Sequence, residues 1–298
     1  MRDRLSELAV LLRTIRQFFD GRGFIEVLPR TLTPQCVVDP YIDPIVAEVR
    51  GGGTTRRLFL QPSPEAEMKD WLSRGSGSIY SIGPAFRDDE TGRHHRNEFT
   101  MLEWYEVDVD LDAGMQTLVD LANVVLDETT DRVTYRDAFV QAIGRDPMDT
   151  PVQQLAALIA DPDLASGLDN DRDAILNVLL DQAVVPSLGR STILCEYPLS
   201  QAALAKPSDR DPACASRFEW FADGVELGNG YDELLDADEL VQRTKRANRD
   251  RTTAGRATLP MPAALIAAMR RGLPPSVGVA VGLDRLAMVR SGGDRLGP

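Results

Sequence analysis

The dipeptide Asp223-Gly224 constrains this chain more than any other short feature, because it sits between two strand-like runs, residues 218–222 and 225–234. Asp-Gly suits a two-residue hairpin turn in which both central residues take positive φ, and glycine does so at no steric cost. A turn of that length sets the pairing. Phe221 then faces Glu226, and Glu219 and Glu226 lie diagonally on one face. Asn229, Tyr231 and Glu233 share a face of the opposite parity. They join the same site only if a bulge resets the register, and Gly228 or Gly230 is the expected place. Two close carboxylates repel unless a cation sits between them, which suits Mg²⁺ with its oxygen ligands. An acidic hairpin open to solvent accounts for the same residues.

The rest of the chain reads as alternating elements. Leu5, Leu8, Ala9, Leu12, Ile15 and Phe19 recur at the helical period, which predicts a helix over 5–20 closed by Gly21 and Gly23. A strand over 24–28 ends at Pro29, and a short one covers 58–61. Ser63-Pro64 supplies an N-cap and a first-turn proline for a helix through residue 72. Strands over 78–86 and 99–107 flank a polar loop, 87–98. Helices are expected over 113–126, 242–254 and 262–271, and a buried strand over 277–281 feeds a last helix from Leu283. Residues 152–185 form a helical stretch with Asp, Pro and Gly punctuation. The whole is one α+β domain over 1–298, built on a largely antiparallel sheet flanked by helices, with a helical insertion at about 150–190.

Composition narrows the function classes. The net charge is −13, and no basic stripe offers a grip on a phosphate backbone, which argues against tRNA or another large nucleic acid. No eighteen-residue apolar run exists, so no membrane span is expected. Cys36, Cys195 and Cys214 are scattered, and His94 and His95 are the only histidines. That pattern argues against a disulfide frame or a zinc site and for a reducing cytoplasm.

Three further places carry chemistry. Met101, Glu103 and Tyr105 alternate on one strand face, beside Arg87 at the end of the neighbouring strand. They read as the floor of a polar pocket or as the solvated face of a sheet. Gly278-Val279-Ala280-Val281-Gly282 is a strand of small residues that lets a ligand approach the backbone, and Arg285 in the following helical turn can stack on an aromatic base. Ordinary strand-to-helix packing explains it equally well. Ser63-Pro64-Glu65 is a helix start that places a carboxylate in the first turn.

In this order these segments resemble the three motifs of the class II aminoacyl-tRNA synthetases. Residues 23–29 look like the first motif, Phe86-Arg87 through Glu103-Trp104-Tyr105 like the second, and Gly282-Leu283-Asp284-Arg285 like the third. Ser63-Pro64-Glu65, Tyr197-Pro198-Leu199-Ser200 and residues 226–234 are similar to the lysyl group. Residues 200–205, 224–227 and 278–282 look most like the stand-alone ligases that join (R)-β-lysine to elongation factor P, in which an alanine stands where Ala280 does. The resemblance implies an ATP-dependent enzyme that forms an adenylate of (R)-β-lysine or lysine and passes it to a lysine of elongation factor P. It also implies a homodimer through the first motif, and no anticodon-binding domain. The alternatives are a truncated lysyl-tRNA synthetase and a non-catalytic lysine sensor.

Roles follow from the same resemblance. Arg87 and Arg285 are the catalytic arginines, with Arg87 bridging the substrate carboxylate and the α-phosphate. ATP is held by Arg87, Asp89, His95, Phe99, Glu219 and Arg285, with Phe99 and Arg285 enclosing the adenine and Glu219 and Glu226 holding Mg²⁺. The amino acid is held by Ser63, Glu65, Glu103, Tyr105, Asn229, Glu233 and Ala280. Glu65 and Glu103 face the near ammonium, Glu233 and Tyr105 the distal one, and Asn229 the carboxylate. Two positions depart from the family pattern. Asp89 stands where glutamate is usual, and Asn97 replaces a proline of the second-motif loop.

Overall fold

A computed structural model of the chain describes residues 2–296. Residues up to Leu126, with those from Asp232 onward, form one compact unit, and Asp127–Tyr231 form another.

The first unit opens with α1 (Arg2–Asp20), which buries Leu11, Ile15, Phe18 and Phe19 on the stripe set by the apolar spacing. The chain reverses through Gly23 at φ +77°, and the Phe24 N–H returns to the Phe19 carbonyl at 3.1 Å. Strand β1 covers only Ile25–Glu26, parallel to a later strand, so the expected 24–28 strand is shorter than its alternation implied. Strands β2 (Leu32–Thr33), β3 (Val46–Gly51) and β4 (Thr54–Leu60) make a small antiparallel sheet in the order β2-β4-β3. Only its last residues were expected. The start of β4 is exposed on both faces, β3 alternates only between exposed and half-buried positions, and the β3–β4 turn is a Gly52-Gly53 pair at positive φ.

Helix α2 (Glu65–Leu72) starts one residue later than expected, with Pro64 at the boundary position. The Ser63 hydroxyl still accepts from the Glu65 N–H at 3.1 Å. Strands β5 (Ile79–Phe86) and β6 (Glu98–Val107) pair antiparallel from Ile79↔Tyr105 to Phe86↔Glu98, and α3 (Leu111–Leu126) follows. Phe19 stacks on Tyr80 at 4.8 Å and lies 5.2 Å from Trp104, which joins α1 to both strands.

The second unit begins with β7 (Asp131–Thr134) and α4 (Tyr135–Ile143), neither of which was expected. Three short helices follow, α5 (Val152–Ala156), α6 (Pro162–Gly167) and α7 (Arg172–Leu179), then a π turn and a 3₁₀ turn through Ser187. Asp161 and Asp171 cap α6 and α7 by accepting two backbone N–H groups each, which explains the aspartate punctuation. Strands β8 (Ser191–Pro198), β9 (Cys214–Ala222) and β10 (Val225–Asp232) run antiparallel in sequence, and β7 lies parallel to β8. Tyr135, Phe139, Ile175, Leu176, Leu194 and Tyr197 form the buried core between these helices and strands.

The chain then completes the first unit with α8 (Ala237–Thr253), α9 (Ala263–Arg271), β11 (Ser276–Gly282) and α10 (Leu283–Arg290). Helix α8 starts earlier than the expected residue 242 because Asp236 caps it, accepting from the Asp238 and Glu239 N–H groups. Strand β11 pairs antiparallel with β6, from Ser276↔Val107 to Gly282↔Met101. Residues 101–105 of β6, flanked by β5 and β11, are buried on both faces, so the solvated-face reading of Met101, Glu103 and Tyr105 is overturned. Among the described residues, no helix is long and apolar enough to cross a membrane.

Candidate active site

In the first unit, the start of α2, strand β6 and the segment after β10 bring Ser63, Glu65, Glu103, Tyr105 and Glu233 together. The Ser63 hydroxyl donates to Glu103 Oε2 at 2.7 Å and the Tyr105 hydroxyl donates to Glu103 Oε1 at 2.8 Å. Glu103 and Tyr105 therefore share a face, as strand alternation requires. Sequence reasoning overlooked a fourth charge at this place, Lys69. Its ammonium donates to Glu65 Oε1 and to Glu233 Oε2, each at 2.5 Å. Lys69 is 3% exposed, Glu103 2% and Glu233 1%, so these three are out of solvent, while Ser63 and Glu65 are half-buried. The only sequence trace of Lys69 is its i,i+4 spacing from Glu65, which is indistinguishable from an ordinary surface pair.

Burial dominates the electrostatics of this cluster. It pushes the Glu103 carboxyl up to about 7, helped by the charge of Glu65 and opposed by the Ser63 and Tyr105 hydrogen bonds. It pushes Glu233 up to about 8 against the lowering effect of Lys69, with Glu65 and Glu103 raising it further. Burial alone would lower the Lys69 value, but Glu233 and Glu65 more than offset it, and the ammonium stays charged. Strand β11 leaves room for these groups. A Cβ on Gly278 would lie 2.1 Å from Glu233 Oε1 and 2.5 Å from Tyr105 Cε1, and Ala280 pairs opposite Glu103.

The second-motif loop joins β5 to β6. Arg87 and Asn97 close its neck: the Arg87 N–H donates to the Asn97 carbonyl and the Asn97 Nδ2 donates to the Arg87 carbonyl, both at 2.9 Å. Asn97 thus ties down by hydrogen bonding a position where a proline would act by restricting φ. The Arg87 guanidinium lies 5.1 Å from the centre of the Phe99 ring and reaches Glu90 Oε1 at 3.4 Å. Its buried Nε has no partner among the described residues, a donor suited to an anion. Asp89 is exposed at φ +56° while Glu90 contacts Arg87. Arg285 donates from Nε to the His94 carbonyl at 3.0 Å, and Asp284 accepts from the Thr100 N–H at 2.6 Å, which fixes the third motif beside Phe99. The His95 ring, exposed along much of its surface, is held below its ordinary pKa by partial desolvation and by Arg285.

In the second unit, the β9–β10 turn has Asp223 at φ +47° and Gly224 at +75°, and Glu226 pairs with Phe221 as expected. The bulge falls between Glu226 and Gly228, at Leu227 and not at Gly228 or Gly230. It brings Asn229 opposite Glu219, and so onto the face shared with Glu226. Gly230 serves a different purpose, since a Cβ there would meet the Phe218 ring at 2.3 Å. Glu219 is buried and accepts from Tyr197 Oη and Arg217 Nη2, each at 2.5 Å, two partners that the chain's pattern did not assign. Burial raises the Glu219 carboxyl, Arg217 lowers it and Glu226 raises it again, with a net rise. Glu226 is exposed, and the buried Asn229 Oδ1 has no hydrogen-bond partner among the described residues. Two carboxylates and an unpartnered amide oxygen on one face are hard oxygen donors of the kind Mg²⁺ takes.

The sequence matches the profile of the tRNA synthetases class II (D, K and N) over residues 1–296. It is similar to the elongation factor P–(R)-β-lysine ligase of Yersinia enterocolitica (serotype O:8 / biotype 1B), at 39% identity over 98% of this chain and 92% of the relative. The ligases of that name from Edwardsiella ictaluri (strain 93-146) and Yersinia pestis (strain Pestoides F) are 40% and 38% identical over the same shares.

Proposed function

The chain belongs to the class II tRNA synthetase family of the D, K and N group, and we propose that it is an ATP-dependent ligase joining (R)-β-lysine to elongation factor P. The observation that carries this reading is identity of 38–40% across nearly the whole chain with ligases of that name. The cluster of buried Glu103 and Glu233 with half-buried Glu65 supports it, because a dicationic amino acid is the substrate such a pocket suits.

In the first step the substrate carboxylate attacks the α-phosphate of ATP and pyrophosphate leaves. The nucleophile is already an anion, so positioning and charge neutralisation supply the catalysis and no general base is needed. Arg87 bridges the carboxylate and the α-phosphate, and its unpartnered Nε is the donor for the charge that builds in line. Phe99 and Arg285 enclose the adenine, with Asp89 near its edge, and His95 reaches the phosphate tail. Glu65 and Glu103 take the near ammonium, Glu233 and Tyr105 the distal one, and Asn229 offers its amide donor to the carboxylate. Ser63 holds Glu103 through its 2.7 Å hydrogen bond, and Ala280 borders the chain of the substrate. Glu219 and Glu226 would hold Mg²⁺, which when bound would neutralise phosphate oxygens. In the second step a lysine amine of elongation factor P attacks the activated carbonyl carbon, forming an amide and releasing AMP.

Leu5, Ile25 and Leu28, exposed at 60%, 56% and 82%, form the face through which two copies pair. The buried thiols of Cys36, Cys195 and Cys214 suit a reducing cytoplasm. The testing experiment is ATP–pyrophosphate exchange against a panel of amino acids, followed by transfer to elongation factor P and, separately, to tRNA. (R)-β-Lysine and lysine should support exchange and only the protein acceptor should be labelled. Exchange with an uncharged side chain, or labelling of tRNA alone, overturns the assignment.

A further inference from the structure

Lys69 is not needed to bind ATP or to carry a proton, yet it is the most deeply placed cation of the first unit's pocket. Its ammonium is shared between two carboxylates that lie 168 positions apart in sequence, Glu65 on its own helix and Glu233 beyond β10. The sharing is divided atom by atom. Glu65 gives Oε1 and Glu233 gives Oε2, and the Glu233 Oε1 atom is turned toward Gly278, where an added Cβ would meet it at 2.1 Å. Each carboxylate thus keeps a second oxygen for another donor. The third carboxylate, Glu103, is held separately by Ser63 and Tyr105.

The charge of the pocket follows from this inventory. Glu65 and Lys69 come from α2, Glu103 and Tyr105 from β6, and Glu233 from the segment after β10. The neighbours paired across from Glu103 and Tyr105 on β5 and β11 are Ser81, Ile79, Ala280 and Gly278, none of them charged. When all are ionised, three carboxylates and one ammonium leave minus two. An amino acid with two ammonium groups brings plus two to this end of the pocket, and a monoamino acid brings half of that. Burial makes any uncompensated remainder expensive.

We propose that Lys69 is a specificity-determining positioning residue: it ties Glu65 to Glu233 and sets the pocket charge at the value that two substrate ammonium groups neutralise. The inference rests on the assignment of this pocket to the substrate's ammonium groups. The raised values of Glu103 and Glu233 accord with it, since the unliganded pocket keeps part of its excess charge covered by protons. A dicationic substrate expels those protons on binding. Without Lys69 the ionised carboxylates total minus three, one more than two ammonium groups neutralise, so the pocket holds about one proton more both before and after the substrate binds.

The experiment counts the protons taken up on acid–base titration from about pH 9.5 to about pH 7 by the wild type, Lys69→Met and Lys69→Arg, each unliganded and saturated with (R)-β-lysine. Lys69→Met should take up about one proton more than the wild type in both states, and bind the substrate on the order of 100-fold more weakly. Lys69→Arg keeps the cation and should match the wild-type proton count even where its affinity falls. A merely structural lysine would lower affinity in both variants and leave the count unchanged. Equal counts for the wild type and Lys69→Met overturn the proposal. If Lys69→Met does not fold, a Lys69→Arg count that departs from the wild type by a whole proton does the same. If the wild type binds no diamino acid, the functional reading fails instead. Lys69 is then judged by difference acid–base titration of the unliganded wild type and Lys69→Met, where a higher proton uptake by the variant near pH 7 supports the charge assignment and identical curves end it.

Discussion

Gly278 lies so close to Glu233 that the smallest side chain would place its Cβ 2.1 Å from Glu233 Oε1. Gly278→Ala must therefore displace Glu233 or push β11 away from Tyr105. Overpacking of a closed site costs about 1–3 kcal/mol, so the melting temperature should fall by a few degrees. Exchange kinetics should show a KM for (R)-β-lysine raised at least tenfold, with the KM for ATP little changed. A variant with wild-type KM for the amino acid would show that Glu233 does not contact it.

Substrate binding should strengthen as pH rises. Glu103 at about 7 and Glu233 at about 8 are raised above the ordinary carboxylate value of 4.5. The folded, unliganded protein therefore holds more protons than the unfolded chain between those values. The stability these groups contribute is present below about 4.5 and lost as pH rises through 7 and 8. A bound diammonium substrate compensates the ionised pair. The increase in melting temperature on adding (R)-β-lysine should thus grow from pH 6 to pH 8.5, and Glu233→Gln should flatten that growth. A substrate-induced shift that shrinks over this range contradicts the reading.

The two carboxylates of the β9–β10 hairpin should respond differently to substitution. Glu226 is exposed, so Glu226→Ala should abolish Mg²⁺-dependent exchange without lowering the melting temperature. Glu219 pairs in the interior with Arg217 and Tyr197. Glu219→Ala removes the carboxylate partner of the half-buried Arg217 guanidinium, which keeps its bond to the Gln201 carbonyl, at a cost of roughly 1–3 kcal/mol, and should lose stability as well as activity. Glu219→Gln keeps a hydrogen-bond partner and should fold while failing to use Mg²⁺. Exchange by the wild type in excess chelator would remove the metal assignment altogether.

Ala280 is expected to select between lysine isomers. It pairs opposite Glu103, and in the proposed pocket its methyl would crowd an α-amino group and fill the gap left when the amino group moves one carbon along. A misfit of one methyl is worth about 1–3 kcal/mol, or roughly 10- to 200-fold in kcat/KM. The wild type should prefer (R)-β-lysine, and Ala280→Gly should gain activity with α-lysine. Competition assays that find α-lysine preferred by the wild type, with no change in the variant, would return the chain to the truncated-synthetase reading.

Much of the scaffold is written locally. The turn Asp223-Gly224 specifies the Phe221↔Glu226 pairing because two positive-φ residues in succession admit one hairpin geometry. Helix α1, the β5–β6 pair and β11 follow from apolar periodicity and from glycines at their ends. The ordered motifs named the family because each chemical group must stand at a set distance from the next along the chain. What required the folded chain were relationships between distant residues. Neighbours in sequence do not reveal that Lys69 meets Glu233 across 164 positions, since the carboxylate's partner is chosen by packing. The β3–β4 hairpin left little apolar alternation to read, because β3 is at most half-buried on one face and the first four residues of β4 are exposed. The bulge settled at Leu227, where the strand resets so that Asn229 comes opposite Glu219, and no single glycine marked the place. Covalent proximity and periodicity set the elements, while burial, which prices every charge by its surroundings, decided which carboxylates became a site.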